Sequence, residues 1–414
     1  MAVEIQYKRE KLQIVHGADP MYYFSYVRSI VIDFDLNLKN EYEYFNIKEK
    51  INPKTGYPIN KYPVGFPLLI LPFFYLTHLI ILFFNFLGFK IVSDGFSLPY
   101  QLSFCYASIL YGYLGLIITY HLCKKYFSPF ICFLSLSIIL LATNILYYFF
   151  KGPYYSHLTS FFVSSLFILF WLETFKERNL YKYFLMGVFG SLLAIIRLQD
   201  IIFLLLPFIS FLYFKIKKIK ELIPSLKHIF AFLVGTAPFF LIQMLAYKII
   251  FGSFLAYSYG EEKFIYAFSP KIFPVLFSSR HGLISWHPLI LFCLLGLLIS
   301  NRHRIITLLL FLVFLMQLYI ISSWHCWYFG YSFGHRAFIS SLPIFAFGLS
   351  SLIHSLNKKL SLKYIFLLSL PFIFWNFIMM LAYLTEIIPP DNYFHFKDLI
   401  LNLKNIPKLI IKKL

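Results

Sequence analysis

The sequence predicts an all-α, polytopic transmembrane bundle, and three observations carry the prediction. Only 13% of its 414 residues are charged, about half the share in ordinary soluble chains. The mean hydropathy is +0.73. Apolar runs of roughly 17–25 residues, the length that crosses a bilayer as a helix, recur from residue 64 to residue 385. A transmembrane β-barrel would instead show short segments of alternating polarity.

Residues 1–63 form a polar segment in which amphipathic, juxtamembrane helices are expected. They hold 8 of the chain's 18 acids: Glu4, Glu10, Asp19, Asp33, Asp35, Glu41, Glu43 and Glu49. The opening "MAVEIQYKREKLQ" lacks the apolar core of a signal peptide. Residues 64–99 begin with an apolar run over 64–87, but Pro63, Pro67 and Pro72 crowd its first third. Proline inside a helix removes a hydrogen bond and clashes with the preceding turn. Two arrangements are open: the run crosses and leaves residues 1–63 cytoplasmic, or it lies as a broken, surface or re-entrant helix and leaves them outside. The bundle proper, residues 100–385, is read as about ten helices, at 100–122, 128–149, 158–174, 181–197, 201–214, 229–250, 286–300, 305–322, 336–356 and 364–385. The runs 201–214 and 286–300 are short for a full span. A tail, 386–414, follows on the outer side.

The connections alternate in charge. One set, from Lys124 to Lys363, holds fifteen Lys and Arg; the opposite set holds only Lys151, Arg197, Lys263, Lys271, Arg280 and Arg336. Lys and Arg accumulate in cytoplasmic loops, so the second set faces outward. The same rule accounts for the formal charge of +19 without invoking nucleic acid. The five cysteines (Cys105, Cys123, Cys132, Cys293 and Cys326) show no CxxC pair or even-numbered framework, so neither a disulfide scaffold nor a zinc module is suggested. They read as small packing residues. His325, Cys326 and His335 match no common zinc spacing.

The outer connections differ in kind from the inner ones. "KGPYYSH" (151–157), "SSRHGLISWHP" (279–288) and "SSWHCWYFGYSFGHR" (322–336) are rich in Trp, Tyr, His and Gly. A functional site is therefore expected on the outer face. With "GADPMYYFSYVRSIVIDFD" and "NKYPVGFPLLILPFF" near the start, and "RHGLISWHPL" and "WYFGYSFGHRAFISSLPIF" later, the chain resembles the C-type (GT-C) integral-membrane glycosyltransferases. That superfamily includes protein O-mannosyltransferases and lipid A aminoarabinose transferases. Members begin with a transmembrane helix ahead of an acidic first outer loop. This sequence shows none, so an upstream helix or a different arrangement of the first segment is expected.

The resemblance implies transfer of a sugar from a polyprenyl-phosphate carrier to a glycan, lipid or protein acceptor at the outer face of the cytoplasmic membrane. Such chemistry needs a carboxylate to deprotonate the acceptor hydroxyl and cations to neutralise the departing phosphate. The resemblance places Asp19 at the family's first acidic position, as the base; the residue reading alone makes it a helix N-cap beside Pro20. Asp33 and Asp35 form a D-x-D pair that can act with it or hold a divalent metal through oxygen ligands, and no other cofactor is indicated. Glu41 joins them as a candidate binder of acceptor hydroxyls, with a plain solvated acidic loop as the other reading. Lys61 is placed on the phosphate by the resemblance and reads otherwise as a snorkelling interface lysine. Arg197, Arg280, His281, His335 and Arg336 are candidates for phosphate or sugar, Arg because its planar fork donates two bonds. Two other readings stand beside the enzyme. A lipid-linked sugar flippase would favour internal repeats and midplane charge, neither of which is evident; an inactive homologue would bind lipid-linked sugar without chemistry.

Overall fold

In the computed structural model, the described residues are 6–8, 11–48 and 50–413; Glu4, Glu10 and Glu49 lie outside them. The fold is helical. The exceptions among the described residues are a short antiparallel pair, Gln6–Lys8 with Lys11–Gln13, and an isolated bridge between Ile51 and Pro58. Among the described residues, seven helices are long and apolar enough to cross a membrane: Gly65–Phe86, Leu98–Lys124, Leu198–Ile216, Lys220–Phe251, Arg304–Ser323, Arg336–Leu356 and Leu362–Leu384. Shorter apolar helices occupy Pro129–Ala142, His157–Glu173, Leu180–Ile196 and Leu289–Ile299. The protein is a multi-pass integral membrane protein.

Several expected boundaries shift. The run 128–149 is two helices, Pro129–Ala142 and Ile145–Phe150, separated at Thr143 and Asn144. The run 286–300 is helical only over Leu289–Ile299, after a single turn at Leu283–Trp286. Gly65–Phe86, expected as broken if it lay on the surface, is one unbroken helix with Pro72 inside it. Pro67 falls in its first turn, where the amide has no intrahelical partner to lose.

The chain divides into two compact units. The first comprises residues 1–115, 149–204 and 224–262; the second comprises 116–148, 205–223 and 263–414. In the first, helix Leu180–Ile196 crosses helix Leu226–Phe251 at a reciprocal glycine contact. A Cβ on Gly187 would lie 2.2 Å from the Phe232 carbonyl oxygen, and one on Gly235 2.1 Å from that of Phe184. Small residues let membrane helices pack backbone to backbone, where lipid offers no hydrophobic drive to hold them.

The polar N-terminal segment is built onto this frame. Helix Ala18–Arg28 continues into a π-helical turn, Ser29–Asp33, which ends on Phe34 in a left-handed conformation at φ 57°. It lies along the first half of Gly65–Phe86, with Tyr23 against Phe66 at 5.1 Å between ring centres and Phe24 against Phe74 at 5.5 Å. The start of Gly65–Phe86 is fixed by Val64 N–H, which donates to Gln243 Oε1 at 2.9 Å. Its Gly65 meets the backbone at Ile195 and Ile196, where a Cβ would lie 2.5 Å away. The other face presents Leu76, Leu79, Ile80 and Phe83 outward, a surface suited to lipid.

The second unit repeats the glycine device. A Cβ on Gly296 would come 2.0 Å from the Gly348 carbonyl oxygen, and one on Gly348 2.2 Å from that of Cys293. The gap at Thr143 is bridged by the buried Asn376, whose Nδ2 donates to Leu141 O at 2.8 Å and Thr143 O at 3.0 Å. Those carbonyls belong to a helix end and have no intrahelical donor. The tail is helical at Phe396–Asn402 and Ile406–Lys413. It packs Leu399 and Ile406 into a cluster with Trp286, Phe333, Met379 and Ile388.

Candidate functional site

Three separate stretches of the first unit converge at one end of its helices. Gly17 caps helix Ala18–Arg28 at φ 88°, and a Cβ there would lie 3.1 Å from the Tyr155 hydroxyl. Asp19 is therefore not the N-cap; it sits in the first turn, and its Oδ1 accepts a 2.6 Å hydrogen bond from the Tyr62 hydroxyl. Burial, then the Asp19 charge, hold the Tyr62 phenol well above its ordinary pKa. Tyr62 is steadied by Asn60, which accepts from the Tyr62 amide at 3.0 Å and donates to Tyr22 O at 3.0 Å.

The neighbouring Lys61 turns its Nζ to Glu262 Oε1 at 2.5 Å. The same ammonium lies 5.4 Å from the centre of the Tyr62 ring and 5.9 Å from that of Tyr259, within reach of cation–π attraction. Tyr259 links the group. Burial raises its phenol pKa, Asp19 and Glu262 add to the rise, and Arg197 opposes it. Arg197, just past helix Leu180–Ile196, donates from Nη1 to His157 Nδ1 at 2.7 Å, and its Nε is buried without an acceptor among the described residues. The Tyr155 ring stacks on His157 at 5.6 Å. Close by in sequence, His16 Nδ1 donates to Ile14 O at 2.7 Å, and its Nε2 accepts from the Tyr154 hydroxyl at 2.9 Å.

Asp33, Asp35 and Glu41 gather elsewhere, at the far end of the helical run that Asp19 begins. At about 1.5 Å per residue, Asp19 and Asp33 stand about 20 Å apart along it. The centre of this second group is Arg28, which pairs with Asp33 Oδ2 and, at 2.6 Å, with Glu41 Oε1. Arg28 also donates to Asp94 O at 3.0 Å and lies over the Phe96 ring at 4.4 Å. Glu41 is fully buried and its Oε2 has no partner among the described residues. Burial outweighs the Arg28 bonds and pushes its carboxyl up to about 7. Asp35 Oδ1 accepts from Ser29 Oγ at 2.8 Å and from the Asn37 amide at 3.0 Å. Asp33, Asp35, Asn37, Lys39, Asn40 and Glu43 line an open hollow of about 360 Å³. The two D-x-D carboxylates thus face different partners. No group of three or more His, Cys, Asp or Glu suited to a metal occurs among the described residues.

The second unit holds the remaining candidates, and each has partners within the protein. Arg280 stacks on the Tyr328 ring at 3.3 Å and bonds Asp391 Oδ1 from Nη2 at 2.8 Å and Nε at 3.2 Å. His281 is fully buried at φ 60°, its ring nitrogens 2.9 Å from Tyr328 O and 3.1 Å from Pro390 O. Burial drives its pKa down to about 4. These two residues tie the stretches around 280, 328 and 391 together. His335 and Arg336 are buried at the start of the 3-10 turn Arg336–Ser341, with the His335 ring 4.9 Å from Phe338.

Of the ten sequence candidates, Asp19, Lys61 and Arg197 are brought into one group; Asp33, Asp35 and Glu41 form another; Arg280, His281, His335 and Arg336 belong to the second unit. Sequence reasoning missed Tyr62, His157, Tyr259, Glu262 and Arg28. "YSYGEEK" (257–263) was the available signal for two of them: tyrosines and acids in an otherwise apolar neighbourhood, as in the opening segment. No protein-family model matches the chain, and no curated protein matches it either.

Proposed function

We propose that the protein is a membrane glycosyltransferase that moves a sugar from a polyprenyl-phosphate carrier to a hydroxyl of a lipid, glycan or protein acceptor, at the outer face of the cytoplasmic membrane. The observation that carries the proposal is the convergence of Asp19, Lys61 and Arg197 around Tyr62 and Tyr259. It supplies one carboxylate and two cations, one of which, Arg197, belongs to the sparse charge set read as outward-facing.

In this reading Asp19 takes the proton of the acceptor hydroxyl as that oxygen bonds the sugar's anomeric carbon. The anomeric carbon–phosphate oxygen bond breaks, and the electron pair leaves with the phosphate, whose charge Lys61 and Arg197 neutralise. Tyr62 orients the Asp19 carboxylate through its 2.6 Å bond. A positioned base contributes roughly 10²–10⁴-fold, and the cations act where negative charge develops. Asp33, about 20 Å from Asp19 along the helical run, is assigned with its neighbours Asp35 and Glu41 to acceptor binding.

The test supplies the purified protein in proteoliposomes with polyprenyl-phosphate-linked sugars and measures free polyprenyl phosphate by mass spectrometry. Wild type should release it, and Asp19→Asn should slow release by at least about a hundredfold. An Asp19→Asn protein as fast as wild type would remove Asp19 from the chemistry. Intact lipid-linked sugar appearing on the opposite leaflet without cleavage would favour a flippase instead.

A further inference from the structure

We infer that Glu262 occupies an anion site built for the phosphate of a lipid, and that a phosphorylated isoprenoid binds by displacing its carboxylate from Lys61. The inference rests on the proposal that Lys61 binds phosphate and adds the residue that controls access to it.

A carboxylate 2.5 Å from an ammonium stands where an anionic phosphate oxygen would stand, because both accept the same charge-assisted bond. The Tyr62 and Tyr259 faces hold the ammonium without neutralising it. The loop that brings Glu262 is anchored independently of its carboxylate. The Ser258 hydroxyl, on a buried residue, donates to Lys61 O at 2.8 Å, and the Tyr257 hydroxyl donates to the Glu262 carbonyl. The loop can therefore stay attached to Lys61 while the Glu262 side chain leaves it. Both partners of the pair are 31% exposed, and ion pairs this accessible to water are worth at most about a factor of five in an equilibrium. A phosphate with more charge can displace such a partner. Tyr257, whose hydroxyl reaches the Glu262 carbonyl, is itself exposed, and so are Phe254 and Leu255 earlier in the same loop, an apolar stretch of chain leading to the anion site. That juxtaposition suits a ligand with a phosphate at one end and a hydrocarbon chain at the other.

The experiment compares binding of farnesyl phosphate, farnesol and inorganic phosphate to the full chain in nanodiscs, for wild type, Glu262→Gln, Glu262→Ala and Lys61→Met. Both Glu262 variants should bind farnesyl phosphate about fivefold more tightly than wild type, with farnesol unchanged. Lys61→Met should lose the preference for farnesyl phosphate over farnesol. The same order with inorganic phosphate would show that the site takes phosphate alone; no binding of inorganic phosphate would show that it requires the chain. If wild type prefers farnesyl phosphate to farnesol but both Glu262 variants bind it no better, the displacement idea falls and the lipid-phosphate reading survives. If no variant prefers the phosphate, both fall together.

Discussion

Replacing Glu41 by Gln should stabilise the protein, or leave it unchanged, above neutral pH. Glu41 is fully buried, bonds Arg28 through one oxygen at 2.6 Å and leaves the other without a partner among the described residues. Desolvation dominates, and its carboxyl rises from the ordinary 4.5 to about 7. The folded protein therefore holds this proton over a pH range in which the unfolded chain has released it. That contribution is fully present below pH 4.5 and is lost as pH rises through 7. The difference amounts to about 3 kcal/mol between pH 4 and pH 8. Melting of wild type and Glu41→Gln in detergent, at half-unit steps from pH 5 to 8, reads it directly. Other titrating groups are common to both proteins and cancel in the comparison. The wild-type melting temperature should fall relative to the variant as pH rises, and at pH 8 the variant should melt at or above wild type. The opposite sign would refute the reasoning. A variant that loses roughly 3–5 kcal/mol at pH 8, with the deficit shrinking toward pH 5, would show an ionised Glu41 in a buried pair whose removal strands Arg28.

Two further predictions concern the frame. Gly235→Leu should lower the melting temperature through overpacking worth roughly 1–3 kcal/mol, because its Cβ alone would come 2.1 Å from the Phe184 carbonyl oxygen; a melt matching wild type would show that the helix crossing relaxes freely. Asn376→Leu should cost about 1–3 kcal/mol by leaving the Leu141 and Thr143 carbonyls without their donor. The same melt checks it, and a neutral result would mean that water or a neighbour replaces the amide.

The bundle was legible because apolar runs are a one-dimensional signal. The runs 305–322 and 364–385 fall within a few residues of Arg304–Ser323 and Leu362–Leu384. The break at Thr143 was not legible, since the sequence stays apolar on both sides and the donor that satisfies the exposed helix end lies more than 230 residues away. Prolines left two arrangements open for 64–87; the helix runs whole through Pro72, with its faces packed by Tyr23, Phe24 and Tyr100. At the candidate site the charged members were visible one by one, but their companions were not. Tyr62 reaches Asp19 across 43 positions, His157 reaches Arg197 across 40, and Glu262 reaches Lys61 across 201. Arg28, which nothing in the sequence singles out, proves to be the shared cation of Asp33 and Glu41.

The hydrogen bonds of His16 and His157 also fix how separate segments of the first unit are held together. A guanidinium can only donate, so the Arg197 contact consumes the Nδ1 lone pair of His157 and fixes the tautomer that carries its hydrogen on Nε2. A carbonyl can only accept, so the contact with Ile14 puts the hydrogen of His16 on Nδ1, and the Tyr154 hydroxyl consumes the lone pair on Nε2. His16 thus ties Ile14 to Tyr154, and His157 ties Arg197 to Tyr155, so the two imidazoles cross-link the segments at 14–16, 154–157 and 197. The tyrosine- and histidine-rich wall beside Asp19 serves to hold geometry.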